Sequence, residues 1–208
     1  GITTSFDEFC KRLTGTSTDA GSETRRKEIV SYAETFSGFV QETATNLKSL
    51  QEEANEKIKT TVEQINAIAE KIASLTKQIN TLEAYRNPAH DLRDQRNVLI
   101  DQLSEYCNVE VKEKEPADGV GLNQYYVYVD GAILVDTQEV NKMQVTELDT
   151  TKSINDISGL YQVSWTDGTP FYPYSATLGG ELQALFQVRD GNNATTLKGK
   201  GDTLTNDA

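Results

Sequence analysis

The residues that could support catalysis are concentrated between Asn87 and Leu103, in the segment NPAHDLRDQRNVLIDQL. This segment contains the only histidine of the chain, His90, which is followed by Asp91. A His-Asp doublet occurs in metal-dependent phosphohydrolases, but such a centre needs several further histidines. A structural zinc site takes four ligands, and His90 with the two cysteines supplies only three soft donors, scattered along the chain. The composition therefore predicts no metal site.

A cysteine nucleophile is the other chemistry to consider, because Cys107 lies on the same predicted helix as His90. At ~1.5 Å per residue the two are roughly 25 Å apart, well beyond hydrogen-bond reach. The chain has no GxSxG motif and no glycine-rich phosphate loop after a strand. We predict that the protein is not an enzyme and has no cofactor, and that Cys10 and Cys107 are free, partly buried thiols.

A structural interpretation of the same segment is simpler. Asp91 and Asp94 fall in the first two turns of a helix, where the helix dipole favours negative charge. Arg93 and Arg96 are expected to pair with carboxylates across a contact between helices, with Arg96 partly buried. These charges are therefore predicted to serve folding and assembly.

The overall composition excludes several classes of partner. The 208 residues include 32 acidic and 20 basic side chains, for a net charge of -12, which argues against nucleic-acid binding. No apolar run approaches the roughly 20 residues that a membrane span needs. The first residues, GITTSFDEFC, lack the pattern of a secretory signal peptide. We expect either a cytoplasmic protein or export by a route without a cleaved leader.

A long amphipathic helix dominates the first half of the chain. A short helix with Phe6, Phe9, Cys10 and Leu13 on one face comes first, and the polar residues 14–22 are predicted to form a loop. Residues 22–86 then contain no proline and a single glycine, Gly38. An unbroken helix here would be roughly 90 Å long; the sequence leaves open whether one helix or two form, and any interruption is expected to fall near Gly38. The apolar residues of this helix from Ile58 to Leu82 form a seam along one face. This seam is too long for short flanking segments to cover, so we expect other helices of the full protein or neighbouring subunits to cover it.

The second half changes from helical to strand periodicity. Asn87 is predicted to cap a new helix with Pro88 at its first position. QYYVYVDGAILVD predicts a hairpin, KMQVTEL and GLYQVSW predict further strands, and SATLGGELQALFQVRD predicts a last helix. The predicted fold class is α+β, an elongated bundle of long helices with a small inserted β-rich domain. The predicted domains are a helical one (1–107 plus 176–190) and a β-rich one (108–175), followed by a flexible tail (191–208).

These segments resemble a known family. QINAIAEKIASLTKQI (64–79), NPAHDLRDQRNVLIDQLSEYCNVEV (87–111) and LGGELQALFQVRD (178–190) are similar to bacterial flagellar hook-associated protein 1, the first hook–filament junction protein. The chain departs from the family motif at His90, Arg93, Thr76 and Asn97. The residues assigned to structure and assembly from the seam and the motif are Ile58, Val62, Ile65, Asn66, Ile72, Leu75, Ile79, Leu82, Asp91, Leu92, Asp94, Arg96 and Leu103.

The resemblance implies a flagellin-like helical core and a structural role at the junction between hook and filament. It implies export by the flagellar type III apparatus to an extracellular location, and contacts with copies of itself, the hook protein and the neighbouring junction protein. It also implies that the chain is a central part without the family's terminal segments, monomeric until those segments assemble it.

Two alternatives stay open at this stage. The β-rich part could bind a glycan or a host protein, if Tyr125, Tyr128, Tyr172 and Tyr174 form a cluster on one solvent face; their burial would indicate packing instead. The chain could also be a close relative within the same structure, such as the neighbouring junction protein or flagellin.

Overall fold

The computed structural model describes residues 2–16, 23–114, 122–148 and 156–191, so the predicted tail lies almost wholly outside the described residues. The described part contains four helices and two antiparallel sheets, which confirms the α+β class. The chain divides into two compact units, residues 1–50 and 51–208. The predicted division into a helical and a β-rich domain stays a prediction. The helices are α1 (Ile2–Thr16), α2 (Glu23–Ala84), α3 (His90–Tyr106) and α4 (Gly180–Asp190).

The first unit contains α1 and the first part of α2. The rings of Phe6 and Phe9 lie 5.6 and 6.3 Å from the ring of Phe36, so the apolar face of α1 packs on α2 as its spacing predicts. The predicted loop is wrong at its start, because α1 continues to Thr16. Thr14 lies inside this last turn and its hydroxyl donates to the Cys10 carbonyl at 2.8 Å, which satisfies the polar side chain within the helix.

The long helix α2 is continuous from Glu23 to Ala84, so these residues form one helix without a break near Gly38. A glycine inside a helix costs about 1 kcal/mol relative to alanine. A cost of this size does not interrupt a helix of 62 residues.

The start of α3 differs from the prediction for an identifiable reason. Arg86 has a positive φ of 60°, its amide donates to the Glu83 carbonyl, and the Asn87 amide donates to the Leu82 carbonyl. This is the hydrogen-bond pattern of a Schellman motif, which ends a helix, and a proline commonly follows it. The Asn87-Pro88 pair therefore terminates α2 instead of starting α3, which begins at His90 without a side-chain cap.

The strands form two separate antiparallel sheets. The first has the order β1 (Val109–Lys114), β2 (Gln124–Val129), β3 (Ala132–Asp136) and β4 (Glu139–Val140), and the second pairs β5 (Met143–Glu147) with β6 (Tyr161–Trp165). The predicted hairpin is confirmed as β2–β3, and its turn residues Asp130 and Gly131 have positive φ values of 50° and 77°, as a primed turn requires. The strands predicted in KMQVTEL and GLYQVSW are β5 and β6.

The core of the second unit corrects the main expectation from the sequence. The seam of α2 is not left uncovered, because Ile58, Ile65 and Ile72 have no exposed surface in the chain itself. They belong to one core with α3, α4 and the inward faces of both sheets. The side chains that cover the seam include Leu103, Tyr125, Val127, Val129, Leu134, Val163, Trp165, Leu182 and Phe186. Within the second unit, α3, α4 and the strands of the same chain cover the seam that other helices of the full protein or neighbouring subunits were expected to cover.

Candidate functional site

The residues predicted for structure and assembly separate into a buried and an exposed group. The seam residues and Arg96 are buried or half-buried, whereas Leu82, Asp91 and Asp94 are exposed. The buried group consists of Ile58, Val62, Ile65, Ile72, Ile79, Arg96 and Leu103, with Asn66, Leu75 and Leu92 half-buried. The buried group builds the fold, so within the predicted set only the exposed residues are available to contact other molecules.

Arg93 joins α3 to both of its neighbours, which confirms the predicted pairing across helices. Its Nε and Nη2 donate to the two carboxylate oxygens of Glu83 on α2, at 2.8 and 2.9 Å. Its Nη1 donates to Glu113 on β1 at 2.8 Å. This bidentate geometry is the favourable one for a guanidinium and a carboxylate. One side chain therefore fixes the angle between α2, α3 and the first sheet.

Arg96, one turn further along α3, is almost completely buried, with 2% of its surface exposed. Its guanidinium lies 3.5 Å from the centre of the Tyr125 ring and 3.3 Å from the Glu113 carboxylate. A desolvated cation over an aromatic face contributes about 2 kcal/mol. Its Nε has no hydrogen-bond partner among the described residues, so the position costs part of what the stacking contributes.

The charges around Glu83 stabilise its ionised form. The hydrogen bonds from Arg93 hold the pKa of Glu83 below its ordinary value, and Asn123, whose amide donates to the same carboxylate at 2.9 Å, acts in the same direction. The same contact raises the pKa of Arg93. Burial raises the pKa of Tyr125, so the ring over which Arg96 lies stays neutral. The Glu83–Arg93 ion pair is therefore fully charged near neutral pH.

A second polar cluster, which the sequence did not reveal, lies at the end of α4. Arg189 is buried and its guanidinium contacts both carboxylate oxygens of Asp190, at 2.7 and 2.9 Å. Its Nη1 also donates to the Tyr161 carbonyl of β6 at 2.6 Å, and the Tyr174 hydroxyl donates to Asp190. Burial raises the pKa of Tyr174, so it remains a donor. The VRD sequence had suggested only a helix end.

His90 and Cys107 are not arranged as a catalytic pair. His90 is exposed at the first residue of α3, and Cys107 is buried just beyond the other end of that helix. Burial raises the pKa of Cys107 to about 12, so its thiol is almost entirely protonated at neutral pH. Cys10 and Cys107 are both free thiols, as predicted. Within the described ranges, no group of three His, Cys, Asp or Glu residues could hold a metal ion.

The tyrosines of the alternative interpretation do not form one exposed cluster. Tyr125 is buried under Arg96, and Tyr174 is half-buried with its hydroxyl bonded to Asp190. Tyr128 lies on the opposite face of β2 from Tyr125, because successive residues of a strand alternate. Two of the four side chains are therefore used for packing.

None of the described helices combines the length and the hydropathy that crossing a membrane requires.

The comparisons with known proteins agree on one family. The model of the "Flagellar hook-associated protein FlgK helical domain" matches residues 1–206. Flagellar hook-associated protein 1 of Bacillus subtilis (strain 168) is 32% identical over 116 residues, which are 53% of this chain and 22% of that protein. The matched region thus spans about a fifth of the relative's length. Because the family model covers nearly the whole chain, the protein belongs to the family of the FlgK helical domain.

Proposed function

We propose that this chain is part of a structural component of the bacterial flagellum, an adaptor that joins the hook to the filament. The observation that carries this proposal is the match of the FlgK helical domain along residues 1–206. It is supported by the name of the Bacillus subtilis relative, which describes a hook-associated protein. The proposed location is extracellular, after export by the flagellar apparatus. Copies of the same protein, the hook protein and the neighbouring junction protein are the proposed partners.

The polar contacts of the fold suit a mechanical role. Arg93 connects two helices and a strand, and Arg189 connects α4 to β6. Directional hydrogen bonds fix the angles between elements, which apolar packing by itself does not. A joint between two polymers has to transmit torque without its parts rotating against each other. We propose that these two arginines provide that stiffness.

The exposed members of the predicted set are the proposed contact residues for neighbouring molecules. Leu82 is 39% exposed at the end of α2, and Asp91 and Asp94 are exposed on the first turns of α3. An Asp94→Lys change combined with Leu82→Ser should leave the fold intact and weaken assembly. Glu63→Lys, which also reverses an exposed charge on a helix, is the matched control.

The experiment that tests the function uses the bacterium that encodes the protein. Deletion of the gene should leave hooks without filaments in electron micrographs and release flagellin into the medium, and the full-length gene should restore filaments. Antibodies against the protein should label wild-type flagella at one position, between the hook and the filament. Normal filaments in the deletion strain would refute the proposal. Label along the whole filament would instead identify a flagellin.

A further inference from the structure

Three asparagines of α2 bind the main chain of the sheets in the same way. The Asn66 amide donates to the Met143 carbonyl at 2.7 Å and accepts from the Met143 amide at 2.9 Å. Asn80 makes the equivalent pair of bonds to Asn123, both at 3.1 Å. Asn55 accepts from the Tyr161 amide at 2.8 Å and donates to the Gly159 carbonyl at 3.1 Å. Each side chain thus occupies one main-chain donor and one main-chain acceptor.

These three residues, the asparagine row, lie along one line of the helix. Asn55 and Asn66 are 11 positions apart, and Asn66 and Asn80 are 14 positions apart, which is about three and about four turns. The asparagine row runs beside the apolar seam of α2. Asn55 binds the beginning of β6, Asn66 binds the beginning of β5, and Asn80 binds the residue before β2.

The bonds of Asn66 are directed at the side of β5 that pairs with no other described strand. Met143 pairs with Trp165 of β6 on one side, and its N–H and C=O on the other side are those that Asn66 binds. An unpaired main-chain group next to a core costs about 1–3 kcal/mol. The carboxamide presents an N–H donor beside its oxygen acceptor, in the spacing that a neighbouring strand would offer, so it replaces that strand.

We propose that the asparagine row sets the register of the β-strands on α2. Apolar contacts with the isoleucine seam hold the sheets against the helix but tolerate sliding, because they have no direction. Each asparagine accepts only a position in which a main-chain N–H and C=O face it. Three such contacts at fixed spacing leave one alignment, whatever side chains the strands carry. This proposal concerns positioning residues within the chain and does not depend on the proposed function.

An Asn66→Asp variant tests the idea by a pH profile. An ionised aspartate accepts from the Met143 amide but cannot donate to the Met143 carbonyl, whereas a protonated carboxyl group does both. The folded variant should therefore have a raised pKa at position 66. A group with a raised pKa stabilises the fold fully below its unfolded pKa, about 3.9, and loses that contribution as the pH rises through the folded value.

For Asn66→Asp, the unfolding constant should be about 10- to 100-fold above that of wild type at pH 7. Near pH 4 it should return to within about threefold of the wild-type value. The nearby Lys142–Glu70 ion pair is present in both proteins, so each point is compared with wild type at the same pH. Asn66→Leu, of similar volume, should be destabilised equally at both pH values. Asn46→Asp, the same change at an exposed position of α2, should show no such profile.

Hydrogen exchange of the Met143 amide gives the second measurement. Its protection should fall in Asn66→Asp at pH 7 and return near pH 4. If Asn66→Asp is unfolded at pH 7, folding on acidification supports the proposal equally. A deficit that is the same at pH 7 and pH 4, or no deficit at all, would overturn it. Asn80→Asp, which meets the same arrangement at Asn123, should repeat the result.

Discussion

Replacing Ile65 by alanine gives the most direct measure of what covers the seam of α2. Ile65 has no exposed surface, so the change removes three buried carbon atoms. At about 0.8 kcal/mol per carbon the transfer term is about 2.4 kcal/mol. The cavity left behind brings the expected loss to about 3–4 kcal/mol, within the range for such substitutions.

Leu47 provides a matched control on the same face of the helix. It lies 18 residues before Ile65, which is about five turns, but it is 62% exposed. Leu47→Ala should therefore cost less than about 1 kcal/mol, because most of the side chain already contacts water.

Urea unfolding followed by tryptophan fluorescence measures both variants. Trp165 is the only tryptophan and is 2% exposed in the same core, so its emission reports the loss of that core. If the seam instead served contacts between subunits, Ile65→Ala would leave the isolated chain as stable as wild type. A loss below about 1 kcal/mol, or equal losses for Ile65 and Leu47, would refute the assignment of the seam to the internal core.

Three further predictions follow from local geometry. Gly180 has a φ of 64°, and a Cβ there would lie 2.5 Å from the main chain of α3, so Gly180→Ala should lower the melting temperature. Gly38 lies inside α2 with open space around the position of a Cβ, so Gly38→Ala should stabilise the fold by about 0.5–1 kcal/mol. In the native protein Cys10 should react with a thiol reagent much faster than Cys107, because burial both shields Cys107 and raises its pKa; equal rates would show that the core opens readily. Because the pKa of Glu83 is lowered in the folded state, its contribution to stability is present above the unfolded pKa, near 4.3, and is lost as the pH falls through the folded pKa. The stability of Glu83→Gln should therefore decrease less than that of wild type on acidification.

The regular elements could be predicted because their signals are local. The three-four spacing of isoleucines identified α2, and Asp130-Gly131 between alternating runs identified the β2–β3 hairpin. The Asn87-Pro88 pair was misinterpreted because the same residues occur after a helix and before one. Only the positive φ of Arg86, which no sequence pattern announced, shows that they belong to the end of α2.

The contacts of the polar residues were less predictable because they depend on distant parts of the chain. Pairing of Arg93 with a carboxylate of the neighbouring helix was expected, but Glu113 of β1 was not. Arg189 appeared only as part of a helix end, although its partners come from β6, from Asn55 of α2 and from α4 itself. Sequence spacing determines which residues share a helix face, but it does not determine which strand arrives opposite that face.

The error about the seam has a physical explanation, and the sequence contained a signal against it. Periodic isoleucines show that a face is buried, but they are equally suited to a helix or a sheet as the covering layer. The two coverings differ in their main chains: a helix satisfies its own N–H and C=O groups, whereas the outer strands of a small sheet leave some of theirs unpaired. A helix that is covered by other helices has no need for buried carboxamides beside its seam. Asn55 and Asn80, both 4% exposed, occupy such positions with the half-buried Asn66 between them. Asparagines at these spacings beside an apolar seam therefore indicate that strands form part of the layer that covers it.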